Sequence, residues 1–128
     1  MSLNSVAVVI LNWNGKHFLE KFLPNLIEHT SFAELIVADN CSTDDSLSFL
    51  KENFPQIRII TLAENYGFAK GYNEALKQVN SDVYVLLNSD VEVTENWLQP
   101  CLEVLNNNND VAACQPKIKA FHQKTHFE

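Results

Sequence analysis

The sequence predicts an α/β fold in which a mostly parallel sheet is flanked by helices. Short apolar, β-branched runs alternate along the chain with stretches whose apolar residues recur at helical spacing. The chain has 128 residues, 46% of them hydrophobic and 20% charged, which are ordinary values for one globular domain. Strands that alternate with helices need crossover connections, and crossover connections join parallel strands.

Four apolar runs are predicted to be strands, and a fifth is a candidate. Val6–Leu11 and Val83–Leu87 are continuous, which is typical of strands buried on both faces. Glu34–Asp39 is similar and ends in a carboxylate. Ile57–Leu62 contains two polar side chains, so we expect it nearer an edge of the sheet. Val111–Cys114 is the candidate for a short fifth strand.

The apolar periodicity between these runs predicts four helices. Pro24 is expected to kink or restart the first helix. Ser42 or Thr43 is expected to cap the second helix, and Thr94 the fourth. The apolar positions that define the helices span 18–27, 47–54, 68–79 and 97–105.

Charge and composition exclude several classes of function. The chain has 9 Lys+Arg against 16 Asp+Glu, a formal net charge of −7, so a nucleic-acid partner is not expected. The apolar runs are too short to span a membrane, and we identify no secretion signal. The 3 cysteines have no metal-binding spacing and are expected to be free thiols in a reducing compartment, the cytoplasm.

Polar side chains follow each of the four strands. The carboxyl ends of parallel strands meet at one edge of a sheet, where ligands bind in open folds of this kind. The pattern therefore predicts a binding site without identifying its ligand. The polar residues concerned are Asn12, Asn14, Asp39, Asn40, Glu64, Asn65, Asn88 and Asp90.

The chemistry of these residues leaves alternatives open. Asp39 could accept a hydrogen bond from a pyrimidine N–H or a ribose hydroxyl, or it could cap the turn before Ser42. Asp90, aided by Asn88, could bind Mg²⁺ together with substrate phosphates, or lie in a solvated turn. Trp13 could stack on a base or pack in the core.

The glycines near the third strand also allow two interpretations. Gly67 and Gly71 flank a segment that opens a helix, and helix N-termini attract phosphate. Lys70 could add a positive charge against a diphosphate. A tight contact between helix and sheet explains the glycines equally well.

Four ordered motifs resemble those of the family 2 glycosyltransferases, and more narrowly of their rhamnosyltransferase-like branch. They are VVILNWNG, ELIVADNCSTDDS, ENYGFAKGYNEAL and DVYVLLNSDVEV. The resemblance implies the N-terminal, nucleotide-sugar-binding part of a GT-A fold, with a Rossmann-like sheet. It also implies a hexosyltransferase that transfers a sugar, with inversion, from a UDP- or dTDP-linked donor to an acceptor hydroxyl in polysaccharide or glycoconjugate synthesis.

The resemblance also implies roles for individual residues. The base pocket is formed by Leu11, through its backbone, and by Trp13, while Asp39 accepts the pyrimidine N3–H. A divalent cation, Mg²⁺ or Mn²⁺, bridges Asp90 and the diphosphate. The remaining residues implied to bind the nucleotide sugar are Asn40, Ser42, Asn65, Gly67, Lys70, Asn73, Asn88 and Ser89.

Two departures from the family pattern matter. Asn88 stands where the family's D-x-D motif has its first Asp, which removes a negative charge from the metal site. The general base of inverting members belongs to a later, acceptor-binding part, so we assign no catalytic residue here. We interpret residues 1–128 as one domain of a longer, membrane-associated or cytoplasmic enzyme, inactive alone, with 1–5 and 118–128 poorly ordered.

Two other functions compete with this interpretation. One is a non-catalytic domain that binds a nucleotide or a carbohydrate. The other is a dinucleotide-dependent oxidoreductase, which is disfavoured because NWNG, not GxGxxG, follows the first strand. The sugar, the carbohydrate acceptor, the base preference and the oligomeric state are left open by the sequence.

Overall fold

A computed structural model describes residues 3–122 of the chain. It contains one four-stranded parallel sheet in the order β3-β2-β1-β4, with helices in the connections. The predicted α/β class and parallel sheet are therefore confirmed. The elements are β1 (Val6–Asn12), α1 (Lys16–His29), β2 (Glu34–Asp39), α2 (Ser46–Asn53), β3 (Arg58–Thr61), α3 (Phe68–Leu76), β4 (Val83–Leu87) and α4 (Gln99–Asn107).

The central strand β1 divides the core into two apolar layers. Its side chains alternate between the faces of the sheet, so Val8 and Ile10 face one layer and Ala7 and Val9 the other. On one face lie leucines of α1 and α2 and the partly buried Leu102 of α4. On the other face lies α3. The predicted burial of β1 on both sides is confirmed, since its residues 7–10 are at most 3% exposed.

The strand β4 differs from the prediction that it is buried. Leu87 and Val85 join the layer that contains α1, but Tyr84 and Leu86 on the opposite face are 43% and 54% exposed. In the described sheet β4 pairs with β1 alone and forms an edge. The prediction that the third run lies at an edge is confirmed, because β3 pairs with β2 alone.

Two predicted helix starts and one predicted strand are wrong. The second helix begins at Ser46, because the Ser42 and Thr43 hydroxyls bond to Asn14 in the loop after β1 and do not cap the helix. The fourth begins at Gln99, because the Trp97 N–H bonds to the Thr94 carbonyl in a separate turn. Residues 111–114 form no strand.

The first helix continues through Pro24 without a restart. Pro24 is exposed on the outer side of α1. None of the helices within residues 3–122 is long and apolar enough to cross a membrane.

The helix α3 packs closely on β1 because Gly71 has no side chain. A Cβ at Gly71 would lie 2.9 Å from Leu11 Cδ2 and 3.1 Å from Asn40 Nδ2. The next residue, Tyr72, is buried and donates a hydrogen bond from its hydroxyl to the Leu87 carbonyl at 2.9 Å. Burial raises the pKa of the Tyr72 hydroxyl, so it stays a neutral donor. Tight packing therefore accounts for Gly71, as one of the two sequence interpretations allowed.

We expect Gly71→Val to lower the free energy of unfolding by roughly 1–3 kcal/mol, because the added atoms overpack the contact with Leu11 and Asn40. Ala69→Val is the matched control, since Ala69 is an exposed residue of the same helix. Urea unfolding followed by circular dichroism measures both variants. Equal unfolding midpoints for the two variants would contradict this account of α3 packing.

Candidate nucleotide-sugar site

An open cleft lies where the loops after β1, β2 and β3 meet. It contains about 510 Å³ of space outside the protein atoms. The strands that carry these loops are parallel and adjacent, so the cleft lies at the carboxyl edge of the sheet. The sheet edge at which the sequence predicts ligand binding therefore contains a cleft. Its lining residues are Leu11, Trp13, Asn40, Asn65, Gly67 and Phe68.

A buried hydrogen-bond network fixes the floor beside this cleft. Asn12 and Asp39 are register partners at the ends of β1 and β2, and both side chains are fully buried. Asn12 Nδ2 donates to Asp39 Oδ1 at 2.9 Å and to Ser42 Oγ at 3.2 Å. Asp39 Oδ2 accepts the Ser42 N–H at 2.9 Å. The turn-capping role allowed for Asp39 is therefore observed, while its contact with a base stays a prediction.

A second asparagine joins the same two loops on their outer side. Asn14 Oδ1 accepts the backbone N–H groups of Thr43 at 2.7 Å and Asp44 at 3.1 Å. Asn14 has a left-handed backbone with φ of 51°, a conformation that asparagine tolerates better than most residues. Trp13 stands between Asn12 and Asn14 and is 56% exposed. It is therefore not a core residue, which was the alternative interpretation of Trp13.

The Asp44 carboxylate joins the starts of two helices. It accepts the backbone N–H of Ser46 at 3.0 Å and of Lys16 at 3.2 Å, the first residues of α2 and α1. Burial alone raises the pKa of the Asp44 carboxyl, but the hydrogen bonds from Ser46 and Lys16 outweigh it and lower the pKa below its ordinary value. The carboxylate thus satisfies backbone N–H groups at the starts of both helices that no intrahelical carbonyl can satisfy.

A third asparagine connects the loops after β2 and β3. Asn40 Nδ2 donates to Asn65 Oδ1 and to the Gly67 carbonyl, both at 3.0 Å. Asn40 Oδ1 accepts the Tyr66 N–H at 3.0 Å. Asn40 is 2% exposed, so these bonds satisfy a buried amide. Its role is to hold the loop that begins α3.

The side chain of Asn65 is oriented by the same bonds. Asn65 Oδ1 also accepts the Gly67 N–H at 2.9 Å, so both of its bonds require an acceptor atom. The Asn65 amide oxygen therefore points toward Asn40 and Gly67, and its NH₂ group has no bonding partner among residues 3–122. This leaves a free hydrogen-bond donor on an exposed residue of the cleft.

Two predicted site residues lie on α3 outside the lining of the cleft. Lys70 is exposed, and its ammonium lies 4.5 Å from the centre of the Tyr66 ring. Asn73 is exposed one turn further along the helix. The described structure therefore places both near the cleft without bringing them into its wall.

The residues after β4 form a separate part of the rim. Asn88 and Asp90 are exposed, and Ser89 is partly buried. No cluster of three His, Cys, Asp or Glu side chains that could hold a metal occurs within residues 3–122. A site here would offer one carboxylate, from Asp90, and the neutral oxygen of Asn88. Such a set fits Mg²⁺ or Mn²⁺ only when substrate phosphates supply further oxygens.

Sequence reasoning missed the roles of three residues. The sequence predicts Asn12 and Asn14 only as polar rim residues, whereas both bond to the loop after β2. Their spacing on either side of Trp13 is the signal that both could turn inward and leave the ring outside. Helical periodicity predicts Phe68 in the apolar stripe of α3, but it is 68% exposed and lines the cleft. Phe68 is the first residue of α3, and the apolar spacing carries no signal that separates it from the core positions of the helix.

A parallel α/β sheet with an open cleft at its carboxyl edge defines a class of ligand-binding domains. Within that class, residues 7–127 match the model of the family described as glycosyl transferase family 2, and the chain belongs to this family.

Two curated relatives illustrate the breadth of the similarity. The chain is 32% identical over 113 residues to rat (Rattus norvegicus) polypeptide N-acetylgalactosaminyltransferase 5, covering 83% of this chain and 11% of the relative. It is 27% identical over 116 residues to the teichoic acid poly(glycerol phosphate) polymerase of Staphylococcus epidermidis, covering 87% of this chain and 16% of the relative. The chain thus spans a small part of these proteins.

A solved structure shares the fold. The crystal structure of S. aureus TarS 1-349 in complex with UDP-GlcNAc superposes with a TM-score of 0.68, at 19% identity, over 93% of this chain and 41% of that one. The GT-A type of α/β fold expected from the sequence is therefore confirmed.

We expect Asn14→Ala to loosen the loop after β2. Loss of the Asn14 oxygen leaves the Thr43 and Asp44 N–H groups without their acceptor, which should speed their hydrogen exchange and cost about 1 kcal/mol of stability. Asn96→Ala is the matched control, because exposed Asn96 has a φ of 56°, close to that of Asn14. If exchange at Thr43 and Asp44 rose equally in both variants, general loss of stability and not the loss of the Asn14 hydrogen bonds would explain the effect.

Proposed function

We propose that this chain is the donor-binding part of a glycosyltransferase that moves a sugar from a nucleoside diphosphate to an acceptor hydroxyl with inversion. The observation that carries the proposal is the cleft at the carboxyl edge of the sheet, where an exposed Trp13 meets oriented amide groups. Membership of family 2 and the similarity to a protein crystallised with UDP-GlcNAc support it.

The cleft has the features needed to hold a nucleoside. The Trp13 ring offers a face for stacking, and Leu11 supplies an apolar wall and backbone groups. In this proposal the free NH₂ group of Asn65 donates to a carbonyl oxygen of the base or to a ribose oxygen, and the bonds of its amide oxygen support that orientation. Asn40 and Gly67 keep this wall rigid through their own hydrogen bonds.

In this proposal the main role of Asp39 is to organise the site through its hydrogen bonds to Asn12 and Ser42. Each of its carboxylate oxygens accepts one hydrogen bond from the protein, and each retains a lone pair. Acceptance of the pyrimidine N3–H by Asp39 remains part of the proposal. Since Asp39 is fully buried, such a bond requires the base to enter deeply or the Ser42 loop to shift.

The diphosphate is proposed to lie between α3 and the loop after β4. Asp90 would hold Mg²⁺ or Mn²⁺ with Asn88 and Ser89 beside it, and the bound cation would stabilise negative charge on the leaving diphosphate. Lys70 is exposed and can swing from Tyr66 toward a phosphate. Asn73 would add a donor from the same helix.

The acceptor and the general base are not assigned to residues of this chain. One curated relative is named as a polypeptide N-acetylgalactosaminyltransferase and the other as a teichoic acid poly(glycerol phosphate) polymerase, so their names do not fix a carbohydrate acceptor here. Inactivity of this segment alone, a hexose donor and a cytoplasmic location stay predictions.

The second candidate is a domain that binds a nucleotide without catalysis. The observation that favours it is Asn88, which leaves Asp90 as the one carboxylate within the triplet 88–90. A nucleotide affinity that does not change when divalent cations are added would agree with this function.

Titration calorimetry with UDP and dTDP, each with and without Mn²⁺, tests the proposal. We expect Mn²⁺ to strengthen binding of at least one nucleotide, and Asp90→Asn to abolish that strengthening because it removes the carboxylate. Asp110→Asn is the matched control, an exposed acid in the turn after α4. Asp39→Ala should weaken binding with or without the metal.

The outcomes separate the two functions. Binding of UDP or dTDP that Mn²⁺ does not change would favour the non-catalytic domain. Absence of binding by a folded protein would contradict both.

A further inference from the structure

Phe68 is in an unusual position for a large apolar side chain. It is 68% exposed, more than any other large hydrophobic residue within residues 3–122. Burying such a side chain is normally favourable, so its exposure at the wall of a cleft marks a candidate binding surface.

The ring of Phe68 packs against the ring of Tyr72 on the same helix. It makes an edge-to-face contact with Tyr72, with ring centres 5.2 Å apart and planes at 77°. Tyr72 is itself 3% exposed and bonded through its hydroxyl to Leu87. Phe68 is therefore supported by a residue anchored in the core, and its ring is not a freely moving surface side chain.

The backbone that precedes Phe68 is fixed as well. Gly67 caps α3 with a φ of 75°, a conformation that favours glycine. The Gly67 N–H bonds to Asn65 Oδ1, and the Gly67 carbonyl accepts from Asn40 Nδ2. These bonds determine where α3 begins and hence where Phe68 projects.

We propose that Phe68 is a second stacking surface for the nucleobase, acting together with Trp13. Both rings line the same cleft and come from different loops, the one after β1 and the one that begins α3. Trp13 is 56% exposed, so neither ring is committed to the core. A planar, π-faced ligand is the one that two exposed aromatic rings bind best. The inference rests on the proposed function and adds a base-recognition residue to it.

The test compares Phe68 variants in calorimetric titrations with uridine, UDP and pyrophosphate. Phe68→Ala should weaken the binding of uridine and of UDP by a similar factor. We expect a factor of roughly 5 to 100 in Kd, the range for loss of one base–aromatic stack. Pyrophosphate binding should stay unchanged, because it has no base. Phe68→Trp should keep the affinity, and Phe68→Leu should lose part of it while preserving apolar bulk at the helix start.

Phe32→Ala is the matched control. Phe32 is also an exposed phenylalanine, 44% exposed, but it lies in the turn before β2 and outside the cleft lining. The Phe32→Ala variant should bind uridine, UDP and pyrophosphate with the same affinities as the unmodified protein. Thermal unfolding of each variant confirms that the fold is intact.

The results distinguish the two levels of the proposal. If the unmodified chain binds UDP and Phe68→Ala binds it within twofold, the role of Phe68 is overturned and the proposed function stands. If the unmodified chain binds pyrophosphate and UDP equally and uridine not at all, stacking in this cleft is overturned. If it binds none of the three, both proposals fail.

Discussion

The buried hydrogen bond between Asn12 and Asp39 is the constraint on which the site depends. Two parallel strands end at this pair, and a buried carboxylate there is costly unless every oxygen is bonded. Asn12 satisfies one oxygen and the Ser42 N–H the other. The loops after β1 and β2 are therefore locked to each other where the sheet stops. Trp13 lies between Asn12 and Asn14, whose side chains both bond to the loop after β2. The Trp13 ring is therefore left exposed to solvent.

The same device recurs one strand further along. Asn40 bonds to the loop before α3 much as Asn12 bonds to the loop before α2. The Asn40 amide both donates and accepts, whereas the Asn12 amide uses only its NH₂ group, which donates to Asp39 and Ser42. A set of uncharged side chains thus builds a rigid cleft wall, and the charged groups Lys70 and Asp90 stay exposed at its margins.

Most of the fold could be predicted from the sequence because strand and helix patterns report burial directly. The alternation of β1 to β4 with helices fixed the parallel sheet, and the polar residues of the third strand placed it at an edge. The prediction for β4 was wrong because a continuous apolar run does not show which face is covered. The start of α2 was wrong because Ser42 and Thr43 bond to a loop distant in sequence.

The site was predicted less completely than the fold. Polar residues after strands indicated its location, and the family motifs indicated Trp13, Asn40, Asn65 and Gly67, which do line the cleft. Phe68 could not be recognised, because helical periodicity does not distinguish an exposed first residue from a core one.

The measurement that tests the central claim most directly is a ¹⁵N–¹H NMR titration of the chain with UDP. We expect shifts at the Trp13 indole N–H, the Asn65 NH₂ and the Gly67 amide; shifts confined to α2 and α4, or none, would contradict the account.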